Sequence, residues 1–198
     1  MRTILRMGLV AAVAAAAVSV VQPQAVAAPA GSASERATSQ QDFPYTGTAT
    51  DYTLEDGSTN LVACDTNTIQ GLATDGSFGL ELLNVDGPSS SWSGCTGLFF
   101  NFEITAIGTW LFNATGQSGS ATIYRLTGVD LHVGSADGTS CVFDITGSVN
   151  ATYDASTQQL RINPDTTLAT SNVTGCLGLI NEGDAAQYSA TYAINTVS

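Results

Sequence analysis

The chain contains no lysine, and its basic complement is five arginines against 17 acids, with one histidine, two methionines and two tryptophans in 198 residues. The missing cations exclude a class of partners. DNA, RNA and anionic lipid headgroups are held through their phosphates by clusters of Lys and Arg, and a chain of formal charge −12 has no such cluster to offer. A single histidine narrows the chemistry further, because a Ser-His-Asp hydrolase needs that residue between nucleophile and acid. The four cysteines, Cys64, Cys95, Cys141 and Cys176, are spaced far too widely for a C-x-x-C zinc knuckle, and His132 stands at no ligand-like spacing from any of them. Beyond the first 21 residues no apolar run is long enough to span a membrane as a helix, and no window of about ten residues has a helical period.

What is present begins with an export signal. Arg2 and Arg6 precede an apolar run from Met7 to Val21, and Ala25-Val26-Ala27 supplies small residues at a cleavage site. A positive start, a short apolar core and an A-x-A end describe a secretory signal peptide over residues 1–27. The run is about 15 residues, short of the roughly 20 that a spanning anchor needs. Cleavage after Ala28-Pro29-Ala30 is the alternative. Residues 1–27 hold two of the five arginines and none of the acids, so the remainder carries −14, which suits a solvated extracellular protein. Residues 28–42 are small, polar and aperiodic, and read as a leader. Residues 43–198 are long enough for one domain with a real core.

That domain has the pattern of strands. Leu98, Phe100, Phe102, Ile104 and Ala106 alternate with Phe99, Asn101, Glu103 and Thr105, the period-two signature of a half-buried strand. Cys141, Phe143 and Ile145 alternate with Val142, Asp144 and Thr146; Val129, Leu131 and Val133 with Asp130 and His132; and Tyr188, Ala190, Tyr192 and Ile194 with Ser189, Thr191 and Ala193. Asp56-Gly57, Asp75-Gly76, Asp86-Gly87 and Asp137-Gly138 tolerate the positive φ of tight hairpins. Asn84-Val85-Asp86 and Asn163-Pro164-Asp165 also read as turns. The expectation is an all-β, antiparallel sandwich or barrel.

The chain also repeats itself. Gly94-Cys95-Thr96-Gly97-Leu98 returns as Gly175-Cys176-Leu177-Gly178-Leu179, and Cys64 answers to Cys141 in the same order. This self-similarity predicts two similar disulfide-stapled halves, with pseudo-repeats at about 60–115 and 137–198. Four cysteines in an exported chain allow three pairings. The repeat selects Cys64 with Cys95 and Cys141 with Cys176.

Candidate chemistry is sparse. His132 lies two residues from Asp130 on the polar face of its strand and reads as a solvated histidine. Gly116-Gln117-Ser118-Gly119-Ser120 departs from G-x-S-x-G in its last residue. Among 17 acids, Glu81, Glu103 and Glu182 are the most placeable for glycoside hydrolysis, which needs an acid and a second carboxylate opposite it, but no spacing singles out a pair. Asp65-Thr66-Asn67 opens like a calcium loop, yet Ile69 stands where a third ligand is wanted. Trp92, Trp110 and Tyr124 would form a sugar platform if exposed together. Trp110 alternates as a core residue, and Trp92, set among serines, is the one with a plausible exposed place, packing against the Cys64–Cys95 bridge being its bland alternative. Asn113, Asn150 and Asn172 begin N-x-T triplets, weak signals in a Thr-rich chain.

Trp110-Leu111-Phe112-Asn113-Ala114, Ile123 to Val129, Cys141 to Gly147 and Gly175-Cys176-Leu177-Gly178-Leu179-Ile180-Asn181-Glu182-Gly183-Asp184 together resemble a group of small exported actinobacterial proteins of unknown function. The resemblance covers about two-thirds of the mature chain. It implies export, disulfides and an all-β fold, and carries no catalytic residue.

The sequence thus supports a secreted, non-catalytic binding or surface protein whose partner is an unknown extracellular molecule or glycan, with no cofactor, no nucleic acid and no membrane span after signal cleavage. Trp92, Glu103 and Glu182 are its candidate ligand contacts. A carboxylate-dependent glycan hydrolase is the alternative, and an envelope β-barrel the second.

Overall fold

The computed structural model describes residues 41–56, 59–76, 79–165 and 167–197. The expected signal peptide and all but the last two residues of the expected leader lie outside these. Fifteen strands follow in order: β1 (Asp42–Ala49), β2 (Tyr52–Asp56), β3 (Thr59–Cys64), β4 (Thr66–Gly76), β5 (Gly79–Leu82), β6 (Asn84–Asp86), β7 (Ser91–Ser93), β8 (Cys95–Gly97), β9 (Phe100–Ala106), β10 (Thr109–Ser118), β11 (Ala121–Ser135), β12 (Cys141–Asp154), β13 (Gln159–Asn163), β14 (Leu168–Gly175) and β15 (Ala185–Thr196). Two short 3-10 turns, Gly87–Ser89 and Cys176–Gly178, are the helical elements among the described residues. No helix among those residues is long and apolar enough to cross a membrane.

Alternation explains these strands. Along β15 the inward residues are Ala186, Tyr188, Ala190, Tyr192 and Ile194, all buried, while the residues between them face out. On β9, Phe102, Ile104 and Ala106 are buried and Glu103 and Thr105 exposed, because successive side chains of a strand point to opposite faces. Each large apolar side chain so buried contributes about 1.5–3 kcal/mol.

Every strand pairing is antiparallel, and the pairings close on themselves. β11 runs beside β12 along its length. β12 pairs with β14 through its first half and with β13 through its second, and both of these pair with β15. Between β15 and β11 the wall returns by two arms. One is β2, β3, β8 and β9; the other is β1, β4, β5 with β6, and β10. A closed circuit leaves few free edges, so the sheet is barrel-like.

The arms meet over an aromatic cluster. The Tyr52 ring lies 5.1 Å from Tyr188 and 6.2 Å from Trp92, and Trp110 lies 6.4 Å from both Trp92 and Tyr188, mostly in edge-on or tilted contacts, the geometry that aromatic quadrupoles favour. Trp110 is buried, as its alternation predicted. Asn67 is also buried and donates from Nδ2 to the Tyr192 hydroxyl at 2.7 Å; the calcium-like opening Asp65-Thr66-Asn67 therefore aims its third residue into the core. Burial raises the hydroxyl pKa of Tyr45, Tyr52, Tyr188 and Tyr192.

Two expected turns differ. Asn84-Val85-Asp86 is strand β6, with Val85 in the core and Asn84 Oδ1 accepting from the Leu72 N–H at 2.9 Å. Asp86-Gly87 makes no hairpin. It opens the 3-10 turn at Pro88, where a Cβ on Gly87 would stand 2.6 Å from the Gly108 carbonyl oxygen. Asp137-Gly138 does join β11 to β12, with Gly138 at φ 73°. Asp165, in the other expected turn, ties three segments together by accepting from Arg125 Nη1 at 2.9 Å, the Asn150 N–H at 3.0 Å and the Thr167 N–H at 3.2 Å.

Candidate functional site

Both disulfides, Cys64–Cys95 and Cys141–Cys176, are formed. Each joins neighbouring strands, since Ala63 stands opposite Thr96 and Cys141 opposite Gly175. The registers also place them along one row, because Cys95 faces Phe102 on β9 and Phe102 faces Ser135 at the end of β11, beside the turn that leads to Cys141. Past this row three loops leave the same edge of the sheet. They are Leu98-Phe99, residues 136–140, and the loop that starts at Cys176.

The first loop is a two-residue hairpin between β8 and β9, with Leu98 at φ 45° and Phe99 at φ 72°. Two successive positive φ angles are what a type I′ hairpin demands, and Asn-Gly is its usual occupant. Here two bulky L-residues adopt it. Leu98 packs on the core, whereas Phe99 is 99% exposed. The third loop repeats the combination: Cys176 and Leu177 take φ 58° and 54°, and Leu177 is 79% and Leu179 46% exposed. Three strand spacings, about 14 Å, separate β9 from β14 along this edge. The middle loop is held by Asp137, whose carboxylate accepts from Ser135 Oγ at 2.6 Å, from the Ser140 hydroxyl, and from the Ser140 and Thr139 N–H groups at 3.0 Å each. Those hydrogen bonds hold its pKa well below the usual carboxylate range. The result is an edge tied by two disulfides and the Asp137 hydrogen bonds, bearing exposed apolar side chains.

A second polar constellation lies on the outer face of the same strands. His132 on β11 is half exposed, and its Nδ1–H donates to Asp144 Oδ1 on β12 at 2.6 Å. Asp144 Oδ2 accepts from Asn172 Nδ2 at 2.7 Å. The partner is thus Asp144 across the hairpin, and Asp130, two residues away in sequence, has its pKa raised by burial and by the charge of Asp144, which His132 partly offsets. Nε2 lies beside Gly134, 4.0 Å from where a Cβ on that residue would stand. No hydroxyl hydrogen-bonds to His132 among the described residues; Thr105 is its cross-strand neighbour on β9. The orienting carboxylate of a triad is present without its nucleophile.

The three candidate contacts fall apart in space. Glu103 is on the outer face of β9, opposite Gly134. Glu182, exposed in the turn 181–184, accepts from the Val173 N–H at 3.2 Å beside β14. Strands β11 and β12 stand between β9, which carries Glu103, and β14, beside which Glu182 lies. Trp92 is on β7 at the junction of the two arms, partly buried among Tyr52 and Trp110, its Nε1 buried without a partner.

Neither Phe99 nor the His132–Asp144 pair was singled out by sequence. The second was within reach: folding the chain about Gly138 sets residue 132 opposite 144. No family model matches the chain, and comparison with curated proteins and with solved structures finds no match.

Proposed function

We propose that the protein is exported and acts outside the cell as a non-catalytic binding protein, with the disulfide-anchored loop edge as its contact surface. The observation that carries this is Phe99. Fully burying such a ring would contribute about 1.5–3 kcal/mol, yet the protein leaves it in water, in a backbone region that costs an L-residue about 1–2 kcal/mol. Unfavourable backbone held in place by its surroundings is characteristic of ligand contacts, and Leu177 supplies a second instance beside the second disulfide. Both Gly-Cys-x-Gly-Leu stretches lead into this edge, each by its own residues, since Thr96 stands at the place of Leu177 and the buried Ile180 at that of Phe99. The disulfides are compatible with an oxidising, extracellular location, and the partner is an extracellular macromolecule or glycan that offers apolar surface.

Glu103 and Glu182, the two acids on which a hydrolytic reading would rest, lie on strands separated by β11 and β12. An envelope barrel is disfavoured because Asp130, His132, Asp144 and Arg161 occupy outward positions on β11, β12 and β13, where a lipid-facing band is apolar. The test is cosedimentation of purified protein with envelopes of the producing cell, alongside glycan-turnover assays on the same preparation. Retention without turnover is expected. Turnover abolished by Glu103→Gln or Glu182→Gln would replace this reading with the hydrolytic one.

A further inference from the structure

The arm that contains β5, β6 and β10 is split at its outer end. β10 pairs with β6 only through Thr109, Trp110 and Leu111, and one further bond, from the Phe112 N–H to the Leu83 carbonyl at 2.9 Å, extends that contact. Beyond it β10 is bonded to β11 alone, and β5 to β4 alone, among the described residues. The bonding direction alternates along a strand, so the backbone of Ala114, two residues after Phe112, faces the split with its N–H and C=O. From Asn113 to Ser118 every residue of β10 is exposed, on both faces of the strand, which means that its inner face lacks the cover that the rest of the wall has. The space left is a slot of about 390 Å³ lined by Glu81, Ala114, Gly116, Gln117 and Thr122. Glu81 is the single ionisable group in that lining.

We infer that this slot accepts an extended basic peptide segment of a partner protein, which adds to the free edge of β10 as a further strand. Strand addition draws its affinity from main-chain hydrogen bonds and its selectivity from alternate side chains. Small residues at Ala114 and Gly116 leave room for the incoming side chains, and Glu81 selects a Lys or Arg among them. Charge complementarity favours this occupant over a second copy, because self-pairing would oppose two Glu81 carboxylates on two chains that each carry −14 without residues 1–27. The site is remote in the sheet from the loop edge that bears Phe99, so the two proposals stand or fall separately.

The test uses the full mature chain and the capped heptapeptide Lys-Val-Thr-Val-Lys-Val-Thr, with Glu-Val-Thr-Val-Glu-Val-Thr as its charge-reversed control, read by amide hydrogen exchange and chemical-shift titration. The lysine peptide is expected to slow exchange over residues 113–118 saturably, and the glutamate peptide to leave it unchanged. Glu81→Gln should weaken the lysine peptide by about two- to fivefold, the worth of a partly solvated ion pair. Ala114→Pro, which removes an edge donor, should abolish the effect; if that variant does not fold, the charge reversal and Glu81→Gln still decide. Absence of protection in β10, equal binding of both peptides, or full affinity in Glu81→Gln would overturn the inference.

Discussion

Replacing Phe99 by glycine should leave the free protein as stable as before or make it more stable. Phe99 is 99% exposed, so the substitution removes essentially no buried area. It relieves the roughly 1–2 kcal/mol that a Cβ costs in the left-handed region, and it puts glycine at the second central position of a two-residue hairpin, where glycine is preferred. Against this stands the extra freedom of glycine in the unfolded chain, about 0.5–1 kcal/mol. The net gain lies between zero and about 1.5 kcal/mol, equivalent to a rise of up to about 6 °C in Tm for a chain of this length. Thermal and urea unfolding of the two proteins measure it. Phe102→Ala is the contrast, since that ring is buried 6.2 Å from Phe143 and 6.0 Å from Phe100, and truncation of a buried Phe costs about 3–5 kcal/mol. A loss above about 1 kcal/mol in Phe99→Gly would show that the ring packs in the free protein, and the reasoning that makes it a contact residue would fail.

Removing the Cys141–Cys176 bridge as a double alanine variant should cost about 3.8 kcal/mol by loop-closure entropy for a separation of 35 residues, read from urea unfolding; the native ladder between β12 and β14 should persist in amide exchange. Asp165→Asn should cost about 1.5–3 kcal/mol at neutral pH, because it weakens charge-assisted bonds to Arg125 and two N–H groups. Burial alone would raise the Asp165 pKa, but the bonds from Thr167 and Asn150 and the Arg125 charge lower it. The gap between wild type and variant should therefore be full above the unfolded carboxyl value of about 3.9 and close as pH falls through the lower folded value. His132→Ala should cost no more than about 1 kcal/mol in thermal melts, the range of a partly exposed ion pair, and leave any binding activity intact.

Alternation made the inward faces of β9, β11, β12 and β15 legible in the sequence, because a half-buried strand writes its burial into every second residue. The repeat likewise indicated which cysteines meet. The closure of the wall was not legible, since long strands such as β11 and β15 change partners midway, and no local pattern encodes a partner. Asn84-Val85-Asp86 misled because its composition is that of a turn, while its conformation is set by β4 on one side and β10 on the other. The exposed place of Phe99 was hidden for a related reason. Leu98 and Phe99 continue the apolar register of β9, and nothing in two bulky residues signals positive φ.

The most direct test of the loop edge as the contact surface compares envelope retention of the wild type, the double variant Phe99→Ser/Leu177→Ser, and Leu111→Ser, which changes an exposed apolar residue on β10 away from that edge. The account predicts that the double variant keeps its Tm and loses at least about tenfold in affinity, since two apolar contacts of roughly 1 kcal/mol or more each are removed, while Leu111→Ser binds like the wild type. Undiminished retention of a folded double variant, or an equal loss in Leu111→Ser, would contradict it.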